Sequence, residues 1–175
     1  MISSQKPYNP AVRAIEMENL RIDLLADHPE GLPVLKRLFE SEWEPYYGAE
    51  GPGNAEADIK ASANRNKLPL AVVAIVDGNI CGTAALKMES VTTYPDYFPW
   101  LAGLLVDPAY RRQGIGENLI GEIENLARKL GYQELYVGTG EKSGMSEISL
   151  EDKGWQFIDK SDYFVGEASV YRKSL

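Results

Sequence analysis

Cysteine and histidine are scarce in this chain, with one of each among 175 residues. A lone cysteine, Cys81, excludes an internal disulfide framework and suits a reducing compartment, so a cytoplasmic location is expected. Its setting, GNICGTAAL, is apolar and strand-like, which marks a buried structural thiol rather than a reactive one. No set of His, Cys and carboxylate residues has metal-ligand spacing, so no metal is expected. Cations are outnumbered too: 18 Lys and Arg face 26 Asp and Glu, for a formal net charge of −8. That balance argues against a nucleic-acid binder, which shows a basic face. It is compatible with a cationic small molecule, although solubility alone also accounts for it. No apolar run approaches the roughly 18 residues of a membrane span. The N-terminal MISSQKPYNPAVRAIEMENL lacks the apolar core of about 7–15 residues that a secretion signal carries.

Hydrophobic residues make up 44% of the chain and charged residues 25%, the balance of an ordinary globular domain. Residues 1–18 hold two prolines and little periodicity, and are expected to be an extension; 19–175 are expected to form one domain. The stretch 20–26 (LRIDLLA) alternates like a strand. A helix should follow, with Asp27 and Glu30 at capping-box spacing and Leu32, Leu35, Leu38, Phe39 and Trp43 facing the core. Residues 46–54 read as a glycine-rich loop and 55–67 as a weak polar helix. Asp77-Gly78 between the apolar runs 68–76 and 80–90 predicts a hairpin. Residues 91–99 read as a loop, 100–106 as a buried strand, and the stretch after Gly114 as an amphipathic helix ended by Gly131. That helix places Ile115, Leu119, Ile120, Ile123, Leu126 and Leu130 on one face. A strand at 134–140, a short helix at 146–154 and a closing hairpin complete the order βα(α)βββαβαββ. This is a mixed α+β domain.

The junction LLVDPAYRRQGIGENLI (Leu104 to Ile120) carries the chemistry. A helix starting at Gly114 leaves its first amides without intrahelical acceptors, and those amides with the helix dipole make an anion site. Glycine there permits close approach of backbone to phosphate, and Arg111 and Arg112 can add charge-assisted hydrogen bonds. Three phosphate-binding loops compete for this pattern. A Walker loop needs G-x-x-x-x-G-K-[ST], which is not present. A dinucleotide fingerprint needs a third glycine where Leu119 stands, at the first strand rather than mid-chain. The third is the acyl-coenzyme-A loop.

Here the chain resembles the GNAT N-acetyltransferases, whose signature [Q/R]-x-x-G-x-[G/A] is met by Arg111, Arg112, Gln113, Gly114, Ile115 and Gly116 after VDPAYR. The element order is similar from Leu20 onward. The resemblance implies a central, mostly antiparallel sheet of about seven strands flanked by about four helices. It also implies acetyl-CoA as co-substrate, with its pyrophosphate on the amides of Arg112 to Gly116. Its pantetheine would pair with Leu104, Leu105 and Val106 like an added strand. An amide of that strand would polarise the thioester carbonyl.

Acetyl transfer needs a neutral amine, so a base must remove an ammonium proton. Glu89 is the first candidate and Asp96 the second. Tyr94, Tyr97, Phe98 and Trp100 are candidate walls of the acceptor pocket, though core positions suit them equally. Glu40, Glu42, Glu44 and Glu50 are candidates to draw in a cation or to form a solvated face, and His28 is read as serving the helix start. The tyrosine acid usual in Y-E-K-x-G-[FW] is replaced by Leu150 in LEDKGW. Tyr97, Tyr136 or water would then protonate the thiolate, or no acid is needed. The expected activity is acetyl-CoA-dependent N-acetylation of a small-molecule or peptide amine, probed against a non-catalytic acyl-CoA sensor as the alternative. The expected partners are a cationic amine acceptor and a second copy of the chain in a homodimer, with no nucleic acid and no membrane.

Overall fold

Two apolar runs joined by Asp77-Gly78 form the heart of the sheet. Both turn residues have positive φ, 49° and 79°, the geometry that joins two strands with two residues and matches their twist. The strands they join are β2 (Leu70–Val76) and β3 (Asn79–Lys87), and every residue of β2 is buried. The computed structural model describes residues 19–140, 149–163 and 166–175. The expected extension 1–18 lies outside the described residues.

Around that hairpin stand β1 (Leu20–Leu24), β4 (Trp100–Val106), β5 (Glu134–Thr139), β6 (Gln156–Tyr163) and β7 (Gly166–Ser174), in the order β1-β2-β3-β4-β5-β7-β6. Every pairing is antiparallel except β4 with β5. The helices are α1 (Leu32–Glu42), α2 (Glu44–Tyr47), α3 (Ala55–Ala61) and α4 (Ile115–Lys129). The expected mixed α+β architecture, a mostly antiparallel sheet of about seven strands with about four helices, is what the described residues form.

Side-chain alternation divides the core by sheet face. On one face α4 buries Ile115, Leu119, Ile120 and Ile123 against Val72, Leu86, Leu101 and Leu104. On the other, α1 and α3 set Leu35, Phe39 and Ile59 against Val73, Ala85 and Leu105. A third cluster on Trp100, Tyr136 and Val170 is covered by the loop after β3. Along α4, Leu126 is partly buried and Leu130 is 38% exposed, so the expected stripe ends a turn early. The inner side of that last stretch instead holds Ala127 and Glu124, whose carboxylate takes Lys173 Nζ at 2.8 Å. A buried carboxylate is tolerable because it is paired.

Several local expectations shift. The capping box at Asp27 and Glu30 does not form: two 3₁₀ turns (Leu25–Asp27, Pro29–Gly31) precede α1, and Gly31 takes its N-cap position without a side-chain bond. Glu30 bonds His28 instead. Helix α3 stops at Ala61 instead of running to residue 67, and its Asn54 cap accepts from the Ala57 amide at 3.0 Å. β3 ends at Lys87, so Glu89 lies beyond it. Of the short helix expected at 146–154, residues 146–148 lie outside the described residues and Glu151–Lys153 form a 3₁₀ turn.

Candidate active site

The middle of β4 departs from a regular strand. Leu101 and Leu104 both face α4, although residues three apart on a regular strand point to opposite sides. The extra residue is absorbed as a bulge: Thr83 pairs with Leu105 but Ala85 with Ala102. Gly103, with φ of 59°, takes the left-handed conformation there. At the same level β5 turns away. Among the described residues it pairs with β4 only at Trp100 and Leu101, then continues along β7 through Gly138 and Thr139. Among the described residues no strand pairs with the β5-facing edge of β4 from Ala102 to Val106, and apart from the Val106 carbonyl, which Arg111 takes, its outward backbone groups can meet an extended ligand.

The open edge leads into the phosphate-binding candidate. Asp107 is held by its own amide on the Cys81 carbonyl (2.8 Å), and its carboxylate caps the following 3₁₀ turn through the Ala109 amide (2.9 Å). Arg112 (φ 62°) and Gly114 (φ 82°) adopt the left-handed conformation, which turns the chain sharply onto α4. The first helical bond runs from the Asn118 amide to the Gly114 carbonyl at 3.1 Å. The preceding amides, including those of Ile115 and Gly116, therefore sit at the helix N-terminus without an i−4 partner in α4. A Cβ built on Gly114 would meet nothing nearer than Asn118 Nδ2 at 3.9 Å. The glycine serves the left-handed turn rather than internal packing, and the space beside it is open among the described residues. Arg111 is committed differently from the expectation. Its Nε donates to the Val106 carbonyl (2.9 Å) and its terminal nitrogen to Glu42 at the end of α1 (2.9 Å).

Of the candidate pocket aromatics, Tyr94, Tyr97 and Trp100 are brought together. Tyr97 stacks between Tyr94 (5.1 Å) and Tyr136 (4.6 Å), and Tyr136 leans on Trp100 (5.7 Å). Trp100 is fully buried and Phe98 is 47% exposed. The Tyr94 hydroxyl donates to Asp159 on β6 at 2.8 Å, raising the phenol pKa and lowering the carboxylate's. Glu89 and Asp96 are exposed on the loop between β3 and β4. Tyr136 donates to Glu134 (2.8 Å), and burial followed by that bond pushes its pKa up to about 12. Its hydroxyl thus reaches back toward the start of β5, away from the open edge. Leu150 is buried in the α4-side core. The Cys81 thiol is fully buried, and burial followed by the Asp107 charge pushes its pKa up to about 11.

One arrangement went unread in the sequence. A recess between α1, α3 and the sheet is lined by Phe39, Asp58, Thr83, Ala85, Lys87 and Gly103, and so reaches the β4 bulge. Tyr47 on α2 donates to Asp58 Oδ2 at 2.7 Å. Nothing local signals it: the two residues are 11 apart on separate helices.

This combination of a bulged, half-open β4, a left-handed glycine turn and a following helix coincides with what comparison with known proteins returns. The acetyltransferase (GNAT) family model matches residues 35–150, and the chain belongs to that family. A sequence search of curated proteins finds none that matches. Among solved structures, a GNAT-family acetyltransferase from Staphylococcus aureus is similar with a TM-score of 0.67 at 18% identity, covering 89% of this chain and 99% of that one. An aminoglycoside 6'-acetyltransferase type Ii gives 0.67 at 18% identity, covering 88% and 96%. A GNAT acetyltransferase from Elizabethkingia anophelis with acetyl-CoA bound gives 0.63 at 18% identity, covering 90% and 99%.

Proposed function

We propose that this chain transfers an acetyl group from acetyl-CoA to the amine of a small molecule or peptide, by direct attack in a ternary complex. The observation that carries the reading is the open edge of β4 from Ala102 to Val106, leading into the left-handed turn at Gly114 and the α4 N-terminus. In this reading pantetheine hydrogen-bonds along Leu104, Leu105 and Val106, and the pyrophosphate rests on the amides of Arg112, Gln113, Gly114, Ile115 and Gly116. Arg111 positions the loop by clamping Val106 to Glu42. The thioester then lies where β4 and β5 part, and a β4 amide stabilises the developing oxyanion. Support for an amine acceptor comes from the family and from neighbours that include aminoglycoside acetyltransferases, one of them complexed with coenzyme A.

Leu150 favours a second reading. Its burial in the core leaves the family's usual tyrosine position without a hydroxyl, as expected of an acyl-CoA sensor that retained the fold. Thiol release from acetyl-CoA with a panel of amines (an aminoglycoside, an aliphatic diamine, a lysine-containing peptide), run beside a thermal shift, separates the two. The proposal predicts stabilisation by acetyl-CoA together with turnover on at least one amine. Stabilisation without any turnover favours the sensor, and no stabilisation by any acyl-CoA contradicts both.

A further inference from the structure

We infer that Asp58 is the group that takes the proton from the acceptor's ammonium, and that Tyr47 is its positioning residue. This rests on the acetyl-transfer reading above and gives that reaction its base. The recess containing Asp58 has Gly103 of the β4 bulge in its wall, close to where the β4–β5 pairing ends at Leu101. The recess has an interior of about 20 Å³, so in this reading only the acceptor's ammonium enters it, with the rest of the acceptor outside, and meets the Asp58 carboxylate. The remaining lining is mostly apolar, including Leu35, Phe39 and Ala85, which favours the neutral, nucleophilic form of the amine. Tyr47 is half-buried, and burial first, then its bond to Asp58, raises its phenol far above the usual value. It therefore stays a donor throughout the working range. It occupies Oδ2 of Asp58 and leaves the carboxylate's other lone pairs for the ammonium.

The neighbouring charges leave this role to Asp58. Lys87 faces the recess from β3. Glu42, at the end of α1, is engaged by Arg111 at 2.9 Å. Glu56, on α3, is shared between Lys36 of α1 and Lys60. Tyr46 and Tyr163 act on Tyr47 through their charges when ionised. The proton balance is simple. One ammonium proton passes to the Asp58 carboxylate, and the neutral nitrogen attacks the thioester carbonyl. The C–N bond forms, the C–S bond breaks, and the second nitrogen proton leaves with the CoA thiolate to give the thiol. Asp58 then returns its proton to solvent.

Asp58→Asn is the decisive variant, since its amide oxygen still accepts from Tyr47 and only the charge is lost. With the fastest amine of the panel, kcat/KM should fall by about 100-fold or more, with acetyl-CoA affinity and unfolding midpoint close to wild type. Tyr47→Phe removes the donor that fixes Asp58 Oδ2, so kcat should fall while the KM for acetyl-CoA stays near wild type, a split that a merely structural role would not give. A loss of about 100-fold in Glu89→Gln, with Asp58→Asn near wild type, would overturn the assignment while leaving acetyl transfer intact. A wild type without amine turnover would overturn acetyl transfer and the assignment together.

Discussion

His28 holds together a strand and a turn that the chain places five residues apart. Its Nε2 lies 2.8 Å from Asp23 Oδ2 on β1, and its Nδ1 lies 2.9 Å from Glu30 Oε1. Both carboxylates favour the imidazolium, the Glu30 bond most strongly, and raise the His28 pKa above 6.5. The same bond holds the Glu30 carboxyl below its usual range. A group whose folded pKa is raised stabilises fully below its unfolded pKa, and that stability is lost as pH rises through the folded value. The difference in unfolding midpoint between wild type and His28→Gln should therefore be largest near pH ~6 and fade as pH rises through the raised His28 value. A difference that grows with pH would contradict the bridge. As a sequence feature His28 marked only the start of α1. Its partner Asp23 sits on an alternating strand, where nothing distinguishes it from any outward carboxylate.

Among the elements, the loop between β3 and β4 is held by aromatic stacking. Tyr97 lies between Tyr94 and Tyr136, while Thr93 shares a 2.8 Å hydrogen bond with Ser161 on β6. Offset ring stacking adds to area burial, so Tyr97→Ala should cost about 2 kcal/mol in urea unfolding. Tyr94→Phe keeps the stack and loses only an exposed bond to Asp159, so its cost should stay under about 1 kcal/mol. Equal costs would show that the hydroxyl, not the stack, secures the loop. Element existence was readable from pattern: Asp77-Gly78 announced its hairpin, and the apolar spacing after Gly114 announced α4. Boundaries were less readable. β3 stops at Lys87 because the chain leaves the sheet there to build this loop, and α4's stripe ends before Leu130 because Glu124 pairs with Lys173 from β7. Both outcomes depend on partners distant in sequence.

For the whole molecule, the cofactor end and the acceptor end differ in legibility for the same physical reason. The β4–α4 junction is a local device, in which strand, turn and helix follow one another within about twenty residues, so composition and spacing reveal it. The recess behind the β4 bulge is assembled from α1, α3, β2, β3 and β4, and the Tyr47–Asp58 and Arg111–Glu42 contacts exist only once the sheet has brought those elements together. The bulge itself left one trace, Gly103 within a buried strand, a position where glycine signals an irregularity. Acetyl-CoA binding by this chain stands or falls on the junction. Titration of acetyl-CoA into wild type and Gly114→Glu by calorimetry is its most direct test, with circular dichroism confirming that the variant is folded. Wild type should bind with a Kd of about 1–100 µM, and the added side chain and negative charge at the pyrophosphate should weaken binding by about 30-fold or more. Equal affinity in a folded Gly114→Glu protein, or no binding by wild type, would contradict the claim.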